Sequence, residues 1–488
     1  MQAPINLPMN RIPINANARI SKFHAVTMAC LVPVLIAHGE TTPAYSHDSG
    51  ASDQRTNWMA IFPDSTKIID LSIPGTHETM ALHGGDAPQC QSKSLNDQLT
   101  MGIRAIDIRL ADQESSYTDL VGATIYYNFI WGFNPGNYFQ LAHGEYPLTI
   151  DQQAVFTTDV LDVLKAFLTA HPSETIFMRV KDEWKTNPGY TQADKDGFNS
   201  LFASTIAQYP GLFWTGPSNE TYDQLTLGAV RGKVVIMQGF YYGTQYGLVG
   251  PMKDSPPGGV PEYDGSGTAD VQDSYDVSSE PKLYPKWELI KPQLIHASTN
   301  QAPANFTLFM NYLSGASAFA YPYFVASGHS SDGTGAPLLW TGYTTGDILG
   351  DAWLDFPTVD GGLGIQYIDY EGTDILTMRY LNANPSLTHI GMVFADFPDY
   401  GLINAIIAAN GNITSVVTTT RDSGAGSLRN TIKSAYYQIG FDPSLTDATI
   451  TLTTDNITNN GPIRHSGNGI NGLVRITTTN FAVTRIGR

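Results

Sequence analysis

Between about Trp58 and Asn410 the chain repeats one pattern: a short apolar run, a loop with polar residues, and then a stretch of helical period. The apolar runs are continuous, which indicates strands covered on both faces, as in parallel sheets. Strands that alternate with helices favour an α/β fold. The runs are Ile68–Ile73, Ala105–Leu110, Tyr138–Ala142, Thr175–Val180, Lys233–Met237, Thr307–Leu313 and Ile390–Phe394. With no glycine-rich dinucleotide loop, they favour a (β/α) barrel of the TIM type.

The clearest helical stretch follows Pro147. Thr149 and Gln152 have the spacing of a capping box at its start. Its apolar residues fall on one face of a helix, which predicts that this face packs against the sheet. These residues are Val160, Leu164, Phe167 and Leu168.

The first residues, 1–39, have the pattern of a secretory signal. Arg11, Arg19 and Lys22 precede an apolar run, Ala25–Ala37, that is too short to span a bilayer, and Ala37-His38-Gly39 has the small-x-small pattern of a cleavage site. We therefore expect a secreted protein, extracellular or periplasmic. The alternative is a disordered tail that ends in a buried apolar segment.

Charge and cysteine content narrow the function further. The 27 Lys and Arg against 45 Asp and Glu give a net charge of −18 without a basic run, which argues against nucleic acid as a partner and against polybasic docking to anionic lipid. The 53 aromatic residues (21 Phe, 7 Trp and 25 Tyr) leave contact with a membrane or a carbohydrate open. Cleavage of the signal would remove Cys30 and leave Cys90 unpaired.

Reactive side chains follow the ends of these strands. His77 comes after the first run, Arg109 ends the second, His143 follows the third, Lys181 follows the fourth and Asp396 follows the last. Because the carboxyl ends of parallel barrel strands form one face, we expect these groups to converge on one pocket.

Two histidines, an arginine and carboxylates on one rim suit phosphodiester cleavage by an internal hydroxyl. One histidine can accept a proton and the other can donate one, while a carboxylate fixes the tautomer of either. The arginine can bind a phosphate oxygen and stabilise charge that develops at phosphorus. For the histidines elsewhere in the barrel region a hydrogen-bonded structural role is the better expectation.

Several short segments between residues 55 and 410 are similar to the X domain of bacterial phosphatidylinositol-specific phospholipase C, and they occur in the family's order. They are Trp58-Met59, Ser72–Glu78 (SIPGTHE), Asp107–Arg109 (DIR), His143-Gly144, Pro172–Ile176 (PSETI), Val271–Tyr275 (VQDSY) and Val393–Asp396 (VFAD). The resemblance implies a distorted, incompletely closed (β/α) barrel. It also implies an inositol phospholipid in a membrane surface as the substrate.

The resemblance assigns roles to five residues. His77, oriented by Asp396, would deprotonate the inositol 2-hydroxyl, which attacks phosphorus. Arg109 would bind the phosphate, and His143 with Glu78 would protonate the departing diacylglycerol oxygen. The products would be diacylglycerol and inositol 1,2-cyclic phosphate.

Three further positions match residues that line the family's inositol site. Lys181, Asp273 and Tyr275 are these positions, with Tyr275 stacking on the inositol ring. A surface lysine or a buried tyrosine is the simpler alternative for them. Calcium-dependent relatives have a carboxylate where this chain has Arg109, whose fixed positive charge would repel a cation. We therefore expect neither a metal ion nor another cofactor.

Two positions depart from the family pattern. Glu78 replaces the aspartate that usually follows the first histidine, which adds a methylene to a group whose geometry matters on the ångström scale. Gly239 replaces an arginine that contacts inositol hydroxyls. These departures keep open the alternative of a catalytically weak barrel that binds inositol lipids or glycans. A further alternative is a glycerophosphodiester phosphodiesterase on a related barrel, which would form glycerol phosphate in a metal-dependent reaction.

Two stretches, 113–137 and 327–372, look inserted relative to that family. We hypothesise that aromatic residues in them, Trp131 and Trp340, contact the membrane interface. The alternative is that these rings pack inside long loops.

The tail, 413–488, is rich in Thr and Asn, and the alternation from Thr449 to Thr453 predicts a half-exposed strand. Asp422–Arg429 is similar to segments that open parallel β-helices. About 75 residues is short for a solenoid, so we expect a small β-rich appendage with a role in adhesion or surface association.

Overall fold

A computed structural model describes most of the barrel region and short parts of the tail, all within one compact unit that runs from His38 to Arg488. The described residues are 43–112, 116–118, 124–126, 138–143, 146–147, 154–183, 190–216, 224–240, 242–248, 262–263, 269–278, 282–299, 308–317, 320–328, 338–340, 355–362, 365–411, 414–417, 419–423, 427–428, 438–441, 449–452 and 475–478.

The described elements alternate along the chain as an α/β protein requires. The strands are β1 (Ser72–Thr76), β2 (Ala105–Ala111), β3 (Ser116–Thr118), β4 (Thr124–Tyr126), β5 (Gln140–His143), β6 (Tyr146–Pro147), β7 (Ile176–Asp182), β8 (Val234–Gln238), β9 (Glu262–Tyr263), β10 (Asp270–Gln272), β11 (Phe309–Tyr312), β12 (Leu338–Trp340), β13 (Thr358–Gly362), β14 (Ile365–Asp369), β15 (Gly391–Ala395), β16 (Thr414–Val417), β17 (Gln438–Phe441), β18 (Thr449–Leu452) and β19 (Arg475–Thr478). The helices are α1 (Leu95–Met101), α2 (Asp162–Ala170), α3 (Gln192–Ala207), α4 (Leu227–Val230), α5 (Leu283–Thr299), α6 (Pro322–Ser327), α7 (Thr373–Ala383) and α8 (Tyr400–Ala408).

The central sheet is built from parallel strands in the order β8-β7-β2-β1-β15-β11-β10. β9 pairs antiparallel with β10 at one edge, and within the described residues no pairing joins β8 to β10. The sheet is therefore an incompletely closed barrel of the TIM type, which confirms the fold class expected from the sequence.

The first strand lies further along the chain than predicted. Ile68–Asp70 is a short 3₁₀ helix, and the strand runs from Ser72 to Thr76, paired with β15 and β2. The sequence pattern missed it because Pro74 and Gly75 are unusual in a central strand. Gly75 is needed here, since a Cβ atom would lie 2.9 Å from the carbonyl oxygen of Ala105. The shift places His77 directly after the strand.

The third predicted strand, β5, is antiparallel to its neighbour, whereas the sequence pattern predicted a parallel strand. β5 pairs antiparallel with β2, through Leu141 opposite Leu110 and Gln140 opposite Ala111. The prediction that His143 follows a parallel strand is therefore wrong. Because β5 runs back along β2 from its carboxyl end, His143 still approaches the same rim.

The helical face predicted after Pro147 is confirmed where it is described. Val160, Leu164, Phe167 and Leu168 are all buried, and the segment begins as a π-helical turn at Phe156–Leu161 before α2. The capping-box positions Thr149 and Gln152 lie outside the described residues.

The described strands of the tail pair in parallel, β16 with β17 and β18 with β19. Thr449–Leu452 is the strand expected from the alternation, and Ile450 is buried while Thr449 and Thr451 are exposed. The boundaries at 39, 55, 410 and 413, and the adhesive role, remain predictions. None of the described helices combines the length and apolarity needed to cross a bilayer.

Candidate active site

His77 lies between a carboxylate and a guanidinium at the end of β1. Its Nδ1 is 2.9 Å from Oδ1 of Asp396, which follows β15, and its Nε2 is 2.9 Å from Nη2 of Arg109 on β2. Because an arginine can only donate, Nε2 of His77 is an acceptor and Nδ1 carries the proton that is donated to Asp396. Burial and the charge of Arg109 hold the pKa of His77 well below its ordinary value of 6.5. The ring is therefore neutral at neutral pH.

His143 has the opposite environment. Its Nδ1 lies 2.7 Å from Oε2 of Glu78 and 2.8 Å from the carbonyl oxygen of Pro88, so this nitrogen carries a proton. Burial alone would lower the pKa of His143, but the charge and hydrogen bond of Glu78 raise it above 6.5. Glu78 therefore favours the protonated form of this histidine.

Arg109 is surrounded by carboxylates that fix its position. Nη2 is 3.3 Å from Asp107, Nη1 is 3.3 Å from Glu183, and Nη1 also forms a close ion pair with Glu78. Asp107 binds Arg179 at 2.8 Å. Burial would raise the pKa of Asp107, but the two guanidinium groups hold it far below its ordinary value. These carboxylates surround the guanidinium and hold it in the rim.

The backbone of Glu78 is left-handed, with φ of 39°. That region is uncommon for residues other than glycine, asparagine and aspartate, and strained residues cluster at functional sites. The Glu78 amide donates to Oδ2 of Asp107 at 3.3 Å. This turn lets one carboxylate reach both Arg109 and His143.

The predicted inositol-site residues lie at different strands of the same sheet, Lys181 on β7 and the other two after β10. Lys181 on β7 pairs with Glu183 at 3.2 Å, which places it beside a partner of Arg109. Asp273 is buried after β10, and Tyr275 is 45% exposed two residues later, so its ring face is open to contact. Gly239 follows β8 and packs against the backbone of β7.

Neither predicted membrane contact has a described side chain. Trp131 lies outside the described residues, and Trp340 belongs to β12, of which only the backbone is described. Their interfacial role remains a prediction.

Cys90 is a free, buried thiol between the two histidines, and its Sγ is 4.0 Å from Nδ1 of His143. Within the described residues two sets of side chains could hold a metal ion, and both include this thiol. They are His77, Cys90 and Asp396, and Glu78, Cys90 and His143. The expectation that no metal is required remains a prediction.

Sequence reasoning brought five of these residues together, namely His77, Glu78, Arg109, His143 and Asp396. It did not assign the supporting roles of Asp107, Arg179 and Glu183. A signal for Asp107 was present, because residues two apart on a strand point to the same face and Asp107 precedes Arg109 by two.

An incompletely closed α/β barrel brings two histidines, whose pKa values are shifted in opposite directions, together with an arginine, and this layout suits acid–base chemistry at a phosphodiester. Comparison with known proteins points to one group of them. The chain is 32% identical over 188 residues to a 1-phosphatidylinositol phosphodiesterase of Listeria monocytogenes, a match that covers 37% of this chain and 47% of that protein. It is 25% identical over 313 residues to a 1-phosphatidylinositol phosphodiesterase of Staphylococcus aureus, covering 62% of this chain and 84% of the relative. The resemblance found in the sequence motifs is confirmed: curated homologues of this chain are bacterial phosphatidylinositol phosphodiesterases.

Solved structures give matches of the same kind. A phosphatidylinositol-specific phospholipase C from Listeria monocytogenes is 24% identical with a TM-score of 0.47, and the match covers 73% of this chain and 98% of that one. A mutant of the Staphylococcus aureus enzyme is 19% identical with a TM-score of 0.46, covering 74% and 98%. The match to the Listeria 1-phosphatidylinositol phosphodiesterase spans about half of that protein's length. No protein-family model matches the chain.

Proposed function

We propose that the chain is a phosphatidylinositol-specific phospholipase C that cleaves phosphatidylinositol to diacylglycerol and inositol 1,2-cyclic phosphate. Nε2 of His77 takes the proton of the inositol 2-hydroxyl, and the oxygen attacks phosphorus. Substrate exchanges the contact between Arg109 and His77 for one between Arg109 and a phosphate oxygen. Nε2 of His143 gives its proton to the departing diacylglycerol oxygen.

This proposal rests on the pKa values of the two histidines, which the site shifts in opposite directions. A general base must be neutral and a general acid must be protonated at the same pH, and a site that pushes the two pKa values apart meets both needs. Burial and Arg109 lower the pKa of His77, whereas Glu78 outweighs burial and raises that of His143. This assignment supports the roles implied by the resemblance.

The proposal extends to where and how the enzyme works. The basic and apolar leader supports export, and the substrate named for the relatives supports action at a membrane surface. Arg109 supplies the positive charge that a calcium ion would otherwise bring to the phosphate, so we propose that catalysis needs no metal.

The reaction can be tested with phosphatidylinositol vesicles in the presence of EDTA. We expect phosphorus NMR to show the cyclic inositol phosphate with the wild-type protein and none with a His77→Ala variant. Formation of glycerol phosphate that stops when EDTA is added would identify a glycerophosphodiester phosphodiesterase instead.

A second function, binding of inositol lipids or glycans with little catalysis, is favoured by Gly239, which offers no side chain to inositol hydroxyls. It predicts vesicle binding without any phosphorus-containing product. A cosedimentation assay on the same vesicles separates the two functions.

Glu78→Gln is expected to move the basic limb of the pH profile of kcat/KM to lower pH by roughly one unit. Glu78 raises the pKa of His143, so the neutral amide lets that pKa fall and the acid loses its proton earlier. Rates measured from pH 5 to 9 on a soluble inositol phosphodiester give the profile. Glu288→Gln, on the exposed face of α5, is the matched control. An unchanged basic limb would remove His143 from the role of acid.

A further inference from the structure

Residues 43–52 precede the region that resembles the phospholipase family, yet they pack beside the candidate active site. Ala44 is fully buried and belongs to the same hydrophobic core cluster as Phe397. Phe397 directly follows Asp396, whose carboxylate holds His77. The segment before the barrel therefore shares a core with the turn that carries Asp396.

That turn has an unfavourable backbone conformation. Phe397 is left-handed, with φ of 51°. For a bulky residue with a Cβ atom this region is strained, and such a conformation persists only where the surrounding structure holds it. The position of the Asp396 side chain thus depends on the groups that hold the next residue in place.

The 43–52 segment holds the turn through backbone hydrogen bonds. The amide of Ser46 donates to the carbonyl oxygen of Phe397 at 3.1 Å, and the amide of Asp399 donates to the carbonyl oxygen of Ala44 at 2.9 Å. An isolated antiparallel bridge lies between these two bonds. The segment and the turn are therefore paired in a fixed register.

Two aromatic rings of the segment hold the side chain of Phe397. The ring of His47 stacks on it with centroids 4.7 Å apart and planes at 27°, and the ring of Tyr45 meets it edge-on at 5.8 Å and 62°. Both rings belong to half-buried residues, whereas Phe397 is 1% exposed. The segment thus contacts both the backbone and the side chain of the strained residue.

A buried lysine fastens the segment in turn. Nζ of Lys93, just before α1, donates to the carbonyl oxygens of Ser46 at 3.3 Å and Asp48 at 3.2 Å, and it lies 3.8 Å from the carboxylate of Asp399. The hydroxyl of Ser52 donates to the same carboxylate. The segment and the turn therefore share one cation and one carboxylate.

The other side of the turn is held by residues that also contact the ends of β1 and β15. Nε2 of Gln91 donates to the carbonyl oxygens of His77 at 2.8 Å and Ala395 at 2.9 Å. Its neighbour Cys90 is a buried free thiol whose carbonyl oxygen accepts the amide of Phe397 at 2.9 Å. A turn that loosens would therefore also loosen Cys90.

We propose that residues 43–52 are a positioning element of the active site, which holds the turn at Phe397 and thereby keeps the Asp396 carboxylate aligned on His77. Tyr45 and His47 act through Phe397 rather than on the substrate. The inference rests on the proposed function for its effect on catalysis, whereas its effect on the turn can be measured without any substrate.

The kinetic test compares Tyr45→Ala with Tyr284→Ala. Tyr284 on α5 is also half-buried and also meets a phenylalanine edge-on, Phe356 at 6.2 Å and 63°, so the two variants lose similar contacts. We expect Tyr45→Ala to lower kcat on a soluble inositol phosphodiester about tenfold to a hundredfold with little change in KM, because the aligned carboxylate is displaced. Tyr284→Ala should keep the wild-type kcat even if it melts at a lower temperature.

Substitutions of His47 test the same contact from the second ring. His47→Ala should lower kcat in the same way as Tyr45→Ala, and it takes the place of that variant if Tyr45→Ala does not fold. His47→Phe keeps a ring against Phe397 and should recover most of the kcat that His47→Ala loses.

The thiol of Cys90 reports on the turn without substrate. The chain has two cysteines, so in a Cys30→Ser background Cys90 is the only thiol. We expect Tyr45→Ala to raise its rate of reaction with dithionitrobenzoate about fivefold or more, because a buried thiol reacts only when its surroundings open locally. Tyr284→Ala in the same background should react at the rate of the parent protein.

The combined results decide between the possible roles. An unchanged kcat in folded Tyr45→Ala and His47→Ala proteins, or an equal loss of kcat in Tyr284→Ala, overturns the inference. A faster thiol reaction together with a wild-type protein that forms no product retains the hold on the turn and removes the proposed function. A faster thiol reaction together with the loss of kcat supports both.

Discussion

His77→Ala is expected to lower kcat for phosphatidylinositol cleavage by about 10²- to 10⁴-fold, the range that a positioned general base contributes. The variant removes the Nε2 acceptor that Arg109 orients and the Nδ1 proton that Asp396 receives. Phosphorus NMR of vesicle reactions at equal protein concentration measures the loss. KM should change little, because the imidazole acts on the reacting hydroxyl rather than on the bulk of the lipid.

His171→Ala provides the matched control. His171 is half-buried, and its Nδ1 lies 3.0 Å from Oδ1 of Asn57, away from the residues of the site. We expect it to retain wild-type turnover. The double variant His77→Ala, His143→Ala should lose little more than either single variant, because groups that act as a unit are not additive. A folded His77→Ala protein with more than about a tenth of wild-type kcat would contradict the assignment of the base.

Arg109→Met is expected to lower kcat/KM by about 10²- to 10³-fold, since it removes a preorganised donor to the phosphate. It should also move the acid limb of the profile upward. Arg109 helps to depress the pKa of His77, so without its charge the base stays protonated to a higher pH. Both effects appear in rates measured from pH 4 to 8 on a soluble inositol phosphodiester.

The control for the Arg109→Met variant should remove an ion-paired arginine that lies outside the candidate active site. Arg379 on α7 pairs with Glu371 and is about half exposed, so Arg379→Met tests the loss of a guanidinium without touching the site. Thermal melting of both variants is needed, because Arg109→Met leaves Asp107 and Glu78 with one cation fewer. A large loss of rate with an unmoved acid limb would mean that Arg109 does not face His77 in solution.

The fold class was predictable because the central strands are buried on both faces. Continuous apolar runs such as Ala105–Leu110 and Lys233–Met237 carry that signal by themselves, and their bounds were within one residue of β2 and β8. The sequence pattern placed β1 too early because a Pro-Gly pair is unfavourable in a central strand. The glycine is required by the close approach of the Ala105 carbonyl oxygen, which only the folded structure shows. The direction of β5 was not predictable, since four residues have the same pattern in parallel and antiparallel pairing.

The candidate site was predictable where a residue stands at the end of a strand. His77, Arg109 and Asp396 are of that kind. Arg179 is not, because it lies inside β7 rather than at the end of the strand. Its ion pair with Asp107 joins two strands that are distant in the sequence, so no local pattern predicts it.

Gly239 limits the routes by which this chain could change its substrate preference. A Cβ atom there would lie 2.7 Å from the carbonyl oxygen of Val180, and the Gly239 amide already donates to that oxygen at 2.8 Å. The backbone at the end of β7 occupies the space that a side chain at position 239 would need. An arginine at this position would therefore require β7 and β8 to move apart. A single substitution of Gly239 cannot supply a side chain for substrate contact unless the backbone of β7 shifts with it.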